Sequence, residues 1–303
     1  MKYDRVIVLD VGGTNIKAAI VDADGNLLAY RKVPSNACMG GATLMRTIED
    51  VIMCYPRYDA IALSLTGQID VQKGTVVFAA PRTIPDFTGA NVRDPLQEKF
   101  NVPVYVENDV NCAAIGEARA GVARGHRQFI CVTYGTGIGG AIVLDNEVYH
   151  GSYWSAGEIG HMLIHADKEA AVCSCGKHGC YEAYASTAAL CRLAEGVLRY
   201  PVDGREFFAV FNDGEHSSIL RTVFENWCME ICYGLLSVVH AFNPSLIVLG
   251  GGVMEEKIVI EKIQQVLPPM LLPSFRNVEI ARAALGNCAG IVGAAYLARE
   301  NLK

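Results

Sequence analysis

The sequence has 303 residues, of which 51% are hydrophobic and 19% are charged, and its formal net charge is −6. The apolar share predicts a sizeable core, whereas the acidic balance and the lack of a Lys/Arg run argue against a nucleic-acid partner. No signal-peptide pattern and no apolar run of membrane-spanning length are evident, so we expect no membrane association. Eleven cysteines without a secretion signal indicate a reducing, cytoplasmic location.

The chain is predicted to begin with three strands joined by two turns. Apolar runs rich in β-branched residues place the strands at residues 5–10, 16–21 and 27–33. In the first turn, Gly12 and Gly13 leave their backbone N–H groups open and Thr14 adds a hydroxyl, so the turn can hold an anion. Asp10 beside it can hold a hydrated Mg2+. An ordinary hairpin turn is the alternative.

The next part of the chain leads to a polar junction between a strand and a helix. The patterns predict helices at 40–55 and 92–100, strands at 60–65, 75–78 and 102–106, and a proline-containing loop at 80–86. Asn108 and Asp109 follow the last strand and precede a helix at 110–120. Ligands of open α/β sheets gather at such strand ends. Asp109 is therefore either a general base, with Asn108 as a hydroxyl clamp, or only the cap of the helix.

A second glycine turn repeats the plan of the first. A strand at 129–134, a turn at 135–140 containing Thr136 and Gly137, and a strand at 141–144 follow one another. This self-similarity suggests duplicated lobes. A dinucleotide-binding turn would need a helix after its glycines, and the Lys-Ser/Thr ending of a P-loop is absent. Two such turns fit a phosphate chain held by both.

The last third of the chain is predicted to be mainly helical. Helices are expected at 187–198, 219–242 and 287–299, strands at 246–250 and 278–281, and a loop-rich connection at 201–215. Gly251 and Gly252 follow the strand at 246–250. They either let a flat ring lie against the backbone or form a tight turn between strand and helix.

A dense group of metal-ligand residue types lies in the middle of the chain. It consists of His161, Cys173, Cys175 and Cys180. Three Cys and one His form one of the closed ligand sets of structural zinc, and intervening glycines allow the sharp turns that such a set needs. Glu158 and Glu182 lie on either side of the group. Three unrelated buried thiols are the alternative.

These segments resemble, in order and over nearly the whole chain, the ROK family of repressors, open reading frames and sugar kinases. The resemblance rests on Asp10-Val-Gly-Gly-Thr14, Glu107-Asn-Asp109, Gly135-Thr-Gly-Ile-Gly-Gly140, Glu158-Ile-Gly-His161, the Cys173–Cys180 segment with Glu182, and Gly250-Gly-Gly252. It implies an α/β, two-lobed, actin-like or hexokinase-like ATPase fold with duplicated lobes and a central cleft. The lobes would span 1–118, with a helix at about 287–303 packing back on it, and 119–286 with the zinc loop.

The resemblance also implies a role for each matching residue. Asp109 corresponds to the base. The sugar contacts would be Gly67, Asn108, Asp109, Glu158, His161 and Glu182. The ATP and Mg2+ contacts would be Asp10, Gly12, Gly13, Thr14, Thr136, Gly137, Gly251 and Gly252. A structural zinc would bind His161, Cys173, Cys175 and Cys180, and His161 would use its second ring nitrogen for the sugar.

Two departures from the family pattern bear on these roles. The spacing between His161 and Cys173 is longer than expected, so His165 is a competing zinc ligand. Arg82 and Thr83 stand where many family kinases have a sugar-contacting Asn, which leaves the choice of sugar open.

The implied activity is ATP-dependent phosphorylation of a hexose at its primary hydroxyl, with glucose as the default. An N-acetylmannosamine, N-acetylglucosamine or β-glucoside kinase is the alternative. A sugar-responsive repressor is disfavoured because the first ATPase strand begins at Arg5, and a non-catalytic sugar-binding protein is disfavoured by the intact Asn108–Asp109 pair. We expect a homo-oligomer, either a dimer or a tetramer.

Overall fold

The computed structural model describes residues 5–213 and 217–300, without the side chain of residue 217. The predicted lobe ends at 1–4 and 301–303, and residues 214–215 of the predicted connection, lie outside the described residues. No helix in the described part of the chain is long and apolar enough to cross a membrane. Contacts within the chain define two units: unit 1 contains residues 5–125, 148–156 and 287–300, and unit 2 contains 126–147, 157–213 and 217–286.

Both units contain strands and helices. The strands are β1 (Arg5–Val11), β2 (Asn15–Asp22), β3 (Leu27–Pro34), β4 (Ala60–Leu65), β5 (Gln68–Asp70), β6 (Thr75–Phe78), β7 (Val104–Asn108), β8 (Phe129–Tyr134), β9 (Ile138–Leu144), β10 (Glu147–Val148), β11 (Leu246–Gly250) and β12 (Glu279–Arg282). The helices are α1 (Gly41–Met53), α2 (Arg93–Phe100), α3 (Asp109–Ala120), α4 (Glu182–Ala185), α5 (Thr187–Leu198), α6 (Gly204–Asp213), α7 (Ser217–Phe242), α8 (Lys257–Met270) and α9 (Ala289–Glu300).

Unit 1 is built on a five-stranded sheet in the order β3-β2-β1-β4-β7. The pairs β1/β2 and β2/β3 are antiparallel, whereas β4 runs parallel to β1 and to β7. Successive strand residues point to opposite faces. Ile7 and Leu9 therefore join the core that α1 covers, while Val6 and Val8 join a second core with Ile291 of α9. All six residues of β4 are buried, as expected for a parallel strand covered on both faces.

Unit 2 repeats this plan with the order β10-β9-β8-β11-β12. Its β8/β9 pair is antiparallel, and β11 runs parallel to β8 and to β12. Its main core combines residues of β8 and β11 with Trp227 of α7 and Ile263 of α8. The predicted duplication of an α/β lobe is confirmed.

Some predicted boundaries differ from the structure. The prediction of a loop-rich connection at 201–215 is wrong, because Gly204–Asp213 forms α6 and buries Phe207, Phe208 and Phe211. Helix α8 was not predicted, although Val259, Ile263 and Leu267 recur at helical spacing on its buried face. By contacts, residues 119–125 and 148–156 group with unit 1, so the division differs there from the predicted lobe boundaries.

Candidate active site and metal centre

The predicted base, Asp109, is the first residue of α3 and follows β7 directly. Its Oδ2 accepts a hydrogen bond from Thr66 Oγ1 at 2.8 Å. Its Oδ1 accepts bonds from Asn108 Nδ2 at 3.0 Å and from the Val110 N–H at 2.9 Å. Thr66 follows β4, the parallel neighbour of β7. The carboxylate is therefore oriented by groups from the carboxyl ends of two adjacent strands, which is where α/β sheets hold ligands.

Asn108 is the residue that caps α3. Its side-chain oxygen accepts the backbone N–H groups of Val110 and Asn111 at 2.9 and 3.0 Å. Its amide nitrogen donates to Gly67 O at 2.9 Å and to Asp109. An amide offers two donor hydrogens and two acceptor lone pairs, so these four bonds use the whole capacity of Asn108. A direct sugar contact at Asn108 would have to replace one of them.

The surroundings of Asp109 change its acidity. The pKa of Asp109 is raised from 3.8 to about 6, chiefly by burial. The charge of Asp10 adds to this rise, whereas the hydrogen bonds from Thr66 and from the Val110 N–H oppose it. A carboxylate with this pKa is mostly ionised at neutral pH, yet it accepts a proton more readily than an ordinary aspartate. This is the property that a general base needs near neutrality.

Asp10 lies near the end of β1, before the first glycine turn. Its Oδ1 accepts from Ser64 Oγ at 2.8 Å and its Oδ2 pairs with Lys17 Nζ at 3.0 Å. The turn itself is closed by a 3.0 Å bond from the Gly12 N–H to Asn15 O, so the expectation that this N–H is open for an anion is wrong. Residues 12–14 thus form the predicted hairpin between β1 and β2, with a carboxylate and an ammonium group next to it.

The loop at residues 80–86 borders this hairpin. The N–H groups of Thr83 and Ile84 both bond Ala80 O, at 2.9 and 3.0 Å, which folds the loop into a turn. The Thr83 methyl group approaches Gly13 so closely that a Cβ at Gly13 would lie 2.6 Å from it. Arg82 is exposed. The residues that depart from the family pattern therefore lie beside the first glycine turn.

In unit 2, the second glycine turn contacts Glu182. The turn is closed by a 2.9 Å bond from the Gly135 N–H to Gly137 O, Thr136 is exposed, and β9 begins at Ile138 rather than after Gly140 as predicted. Glu182 Oε2 accepts the Ile138 N–H at 3.4 Å, and its Oε1 accepts Ser174 Oγ at 2.5 Å and Cys173 Sγ at 3.1 Å. Glu182 thus connects this turn with the cysteine loop.

The glycines after β11 differ in what the fold requires of them. Gly251 has a φ of 100°, and a Cβ there would lie 2.1 Å from Tyr134 O, so strand packing alone requires a glycine. Gly252 is exposed, and a Cβ would meet no atom within 4 Å. The space beside Gly252 is thus open, whereas the close approach of Tyr134 alone accounts for a glycine at position 251.

The predicted metal ligands come together in unit 2. The ligand atoms of His161, Cys173, Cys175 and Cys180 all lie within 4.8 Å of one another. Cys175 Sγ and Cys180 Sγ are 3.7 Å apart, and Cys173 Sγ is 3.6 Å from His161 Nδ1. A Zn–S bond of about 2.3 Å places tetrahedral ligands about 3.8 Å apart. The donor types and their spacing therefore fit a four-coordinate zinc ion.

The loop backbone accounts for this convergence of thiols. Cys173 N–H bonds Lys177 O at 2.7 Å, and Gly176 N–H bonds Cys173 O at 2.9 Å, which closes a tight turn between the first and last cysteines. Gly179 has a φ of 79°, and a Cβ there would lie 1.8 Å from His165 O. Only glycine fits at that position.

The two ring nitrogens of His161 face different groups. Nδ1 points towards the cysteines, and Nε2 lies 3.9 Å from Glu158 Oε2. The competing ligand, His165, instead bonds Glu230 Oε2 through Nε2 at 2.8 Å and packs against the ring of Tyr184. His161 is therefore the histidine that joins the cluster, and its second nitrogen is directed to a carboxylate.

Several residues of these sites were not singled out from the sequence. They are Lys17, Ser64, Thr66 and Ser174. Ser64 and Lys17 did carry a signal, because each is a polar residue inside an otherwise apolar strand. Thr66 and Ser174 lie in turns, where polar residues are common and carry no such signal.

Comparison with known proteins agrees with this architecture. Residues 6–301 match the profile of the ROK family. The glucokinase of Streptomyces coelicolor is 32% identical over 97% of this chain and 97% of its own length. The N-acetyl-D-glucosamine kinase of Escherichia coli O1:K1 is 28% identical over 95% of this chain and 97% of its own. A ROK glucokinase from Streptomyces griseus, solved with glucose and AMPPNP, has a TM-score of 0.85 at 30% identity, covering 98% of this chain and 99% of that one.

These relatives and the duplicated α/β fold define an enzyme of the sugar-kinase class, an ATP-dependent phosphotransferase on the actin-like ATPase fold. The chain belongs to the ROK family. The family and the fold class expected from the sequence are both confirmed.

Proposed function

We propose that the protein transfers the γ-phosphoryl group of ATP to the primary hydroxyl of a hexose and releases the sugar 6-phosphate. Glucose is the proposed preferred sugar. The observation that carries the proposal is the oriented carboxylate of Asp109, whose pKa is raised to about 6 at the end of β7. The full-length similarity to glucokinases supports the choice of sugar.

In the proposed reaction, Asp109 takes the proton of the primary hydroxyl while the hydroxyl oxygen bonds to the γ-phosphorus of ATP. The bond from that phosphorus to the bridging oxygen breaks, and ADP leaves. Thr66 and Asn108 keep the carboxylate in one orientation. The backbone N–H groups of Gly13 and Thr14, and those of the turn at 136–137, would stabilise the charge on the transferred group.

Each unit contains residues proposed as sugar contacts. In unit 1, the amide nitrogen of Asn108 donates to both Gly67 O and Asp109 Oδ1, which links these three residues. In unit 2, Glu158, His161 and Glu182 surround the cysteine cluster. Carboxylates accept hydrogen bonds from sugar hydroxyls, and a histidine nitrogen can accept or donate one.

The proposal includes two metals. Asp10 would hold Mg2+ through its water shell, since the carboxylate already bonds Ser64 and Lys17 and Mg2+ usually retains several waters. Bound Mg2+ neutralises phosphate charge. His161, Cys173, Cys175 and Cys180 would hold a zinc ion whose role is architectural, because four protein ligands leave no open position for a water.

An N-acetylated hexosamine is the second candidate substrate, and a β-glucoside is the third. The similarity to an N-acetyl-D-glucosamine kinase favours the hexosamine, and Arg82 and Thr83 leave the preference open. The cytoplasmic location and the dimer or tetramer stay predictions.

A coupled assay of ADP release over hexoses, hexosamines and β-glucosides tests the proposal. We expect ADP release that depends on sugar, with glucose first by kcat/KM and a 6-phosphate identified by phosphorus NMR. If none of the sugars in the panel supports ADP release, the proposal of a hexose kinase is contradicted. A gel shift with genomic DNA fragments provides the parallel test of a repressor, and we expect no shift.

A further inference from the structure

Residues 148–156 group with unit 1, although the chain on either side of them belongs to unit 2. Two side-chain contacts tie this segment to β7, which leads into the proposed base, and to β5. His150 Nε2 lies 2.7 Å from Glu107 Oε2, and Ser155 Oγ donates to Gln68 Oε1 at 2.8 Å. Glu107 immediately precedes Asn108, and Gln68 immediately follows Gly67. The segment is therefore attached at both ends next to residues of the candidate active site.

Glu107 is a buried acid, with only 1% of its surface exposed. Its Oε1 accepts the Asn108 N–H at 2.8 Å and Asn111 Nδ2 at 2.9 Å, and its Oε2 faces His150. A buried carboxylate without a positive partner is costly. His150 is the group at Oε2 that can carry a positive charge, while the other oxygen accepts hydrogen bonds from the backbone and first turn of the strand-to-helix junction.

The surroundings of His150 favour its charged form. Burial opposes protonation, but the hydrogen bond and the charge of Glu107, together with a hydrogen bond to the backbone of Val148, outweigh it and raise the pKa of His150 above 6.5. Acceptors on both sides of the ring suit an imidazolium, in which both nitrogens are donors. The ring also lies 5.4 Å from that of Trp154, which itself has a φ of 61° in the left-handed region. Such a backbone angle is held only where surrounding contacts fix it.

We propose that His150 and Glu107 form a charged positioning pair, which anchors the 148–156 segment and holds the Asn108–Asp109 junction in its catalytic geometry. Neither residue is assigned contact with the sugar or with ATP. Only the predicted effect on kinetics rests on the proposed function. The pair and its anchoring of the 148–156 segment do not depend on which substrate the protein uses.

The pair predicts how activity depends on pH. Asp109 must be ionised, so activity rises through its pKa of about 6. His150 must be protonated, so activity falls as pH passes its raised pKa. The other named neighbours of the pair do not titrate in this range: Gln68 and Asn111 are uncharged, and burial holds the pKa of the Cys112 thiol well above its usual value.

The kinetic test compares the pH profiles of wild type, His150→Gln and His126→Gln. Glutamine can still donate to Glu107 but cannot carry charge. We expect His150→Gln to lower kcat about tenfold, to keep the acid limb near pH 6 and to lose the alkaline limb. KM for ATP should stay within about twofold. His126, which contacts Ser245 and Glu279 in unit 2, is the matched control and should change neither limb.

A second test does not need activity. In wild type, we expect an NMR titration of the imidazole to give His150 a pKa above 6.5, and Glu107→Gln to return it to or below that value. A raised folded-state pKa contributes stability below the unfolded value and loses it as pH rises through the folded value. Hydrogen exchange of residues 148–156, corrected for intrinsic rates, should therefore quicken when the pH passes the His150 pKa.

The outcomes separate this inference from the proposed function. If no sugar supports ADP release but the titration and the exchange behave as described, the kinase proposal fails and the anchored pair stands. A His150 pKa at or below 6.5 in wild type, or unchanged exchange across its titration, overturns the pair. If the alkaline limb of the pH profile is the same in His150→Gln and in wild type, the positioning role of the pair is overturned.

Discussion

Thr66 and Asp109 are joined by a 2.8 Å hydrogen bond between Oγ1 and Oδ2, although 43 positions separate them in the sequence. Thr66 follows β4 and Asp109 follows β7, and the parallel pairing of these strands brings the two ends together. The bond favours the ionised carboxylate and so lowers a pKa that burial raises. Thr66 therefore opposes the effect of burial on the acidity of the proposed base, without needing to touch the substrate.

The first prediction concerns this bond. Thr66→Val removes the hydroxyl and keeps a similar shape, so the pKa of Asp109 should rise further above about 6. A hydrogen bond to a charged group is worth roughly 1.5–3 kcal/mol, so the acid limb of kcat/KM should move up by about one pH unit or more. Thr66→Ser keeps the hydroxyl and is the matched control. An acid limb that stays in place in Thr66→Val means that another group produces it.

The second prediction concerns the loop beside the first glycine turn. Arg82 is exposed, and its neighbour Thr83 packs on Gly13. Arg82→Asn should change the ranking of sugars by kcat/KM while changing kcat for the best sugar by less than about threefold. The same panel of sugars, tested at saturating ATP, gives the ranking. Arg57→Asn, at another exposed arginine outside this loop, is the control, and an unchanged ranking in Arg82→Asn would exclude the loop from substrate choice.

The third prediction concerns the metal. Purified protein should contain one zinc ion per chain, and Cys175→Ala should lose it while Cys54→Ala, at an exposed cysteine outside the cluster, should keep it. We expect KM for the sugar to rise about tenfold or more in Cys175→Ala, because His161 and Glu158 lose their fixed positions.

The same variant should affect nucleotide binding less. The turn at 135–137 is closed by its own backbone bond, and its link to the cluster is the 3.4 Å contact between Ile138 and Glu182. Metal analysis and separate titrations with sugar and ATP measure the two effects. Fully active enzyme without zinc would contradict the ligand set, and equal losses of sugar and nucleotide binding would mean that the metal supports unit 2 as a whole.

The fold could be predicted in large part because its strands are short apolar runs ended by glycine or polar turns. The strands at 60–65, 129–134 and 246–250 have the predicted bounds, and the two glycine hairpins lie where expected. The Cys/His cluster could be predicted for a similar reason: three thiols and an imidazole at close spacing have few other uses than binding a metal.

The partners that tune these residues could not be predicted in the same way. The bonds from Thr66 to Asp109 and from His150 to Glu107 each join positions 43 apart, and only the strand order brings them together. The sequence also did not decide which residue caps the N-terminus of α3, because Asn and Asp both serve in that position. In the structure Asn108 takes it, which places Asp109 within the helix.

The fourth prediction concerns the stability of Asp109→Asn. The folded-state pKa of Asp109 is raised from 3.8 to about 6, so its contribution to stability is present below 3.8 and is lost as pH rises through 6. Asparagine has no such charge to bury. From pH 4.5 to pH 8 the unfolding free energy of Asp109→Asn should therefore rise relative to that of wild type, by an amount on the order of 1–3 kcal/mol. The melting temperature of the variant should rise relative to wild type over the same range. A difference in melting temperature that does not vary with pH would mean that burial does not raise this pKa.

The kinetics of the same variant test the account most directly. Asparagine at position 109 keeps the size of the side chain but cannot take the hydroxyl proton, so kcat should fall roughly 10²- to 10⁴-fold. The dissociation constant for the sugar, measured by calorimetry, should change by less than about threefold. Asp94→Asn, at an exposed acid on α2, is the control and should match wild type in both values. We predict that Asp109→Asn binds sugar without turnover, and a kcat within a few-fold of wild type would contradict the assignment of Asp109 as the base.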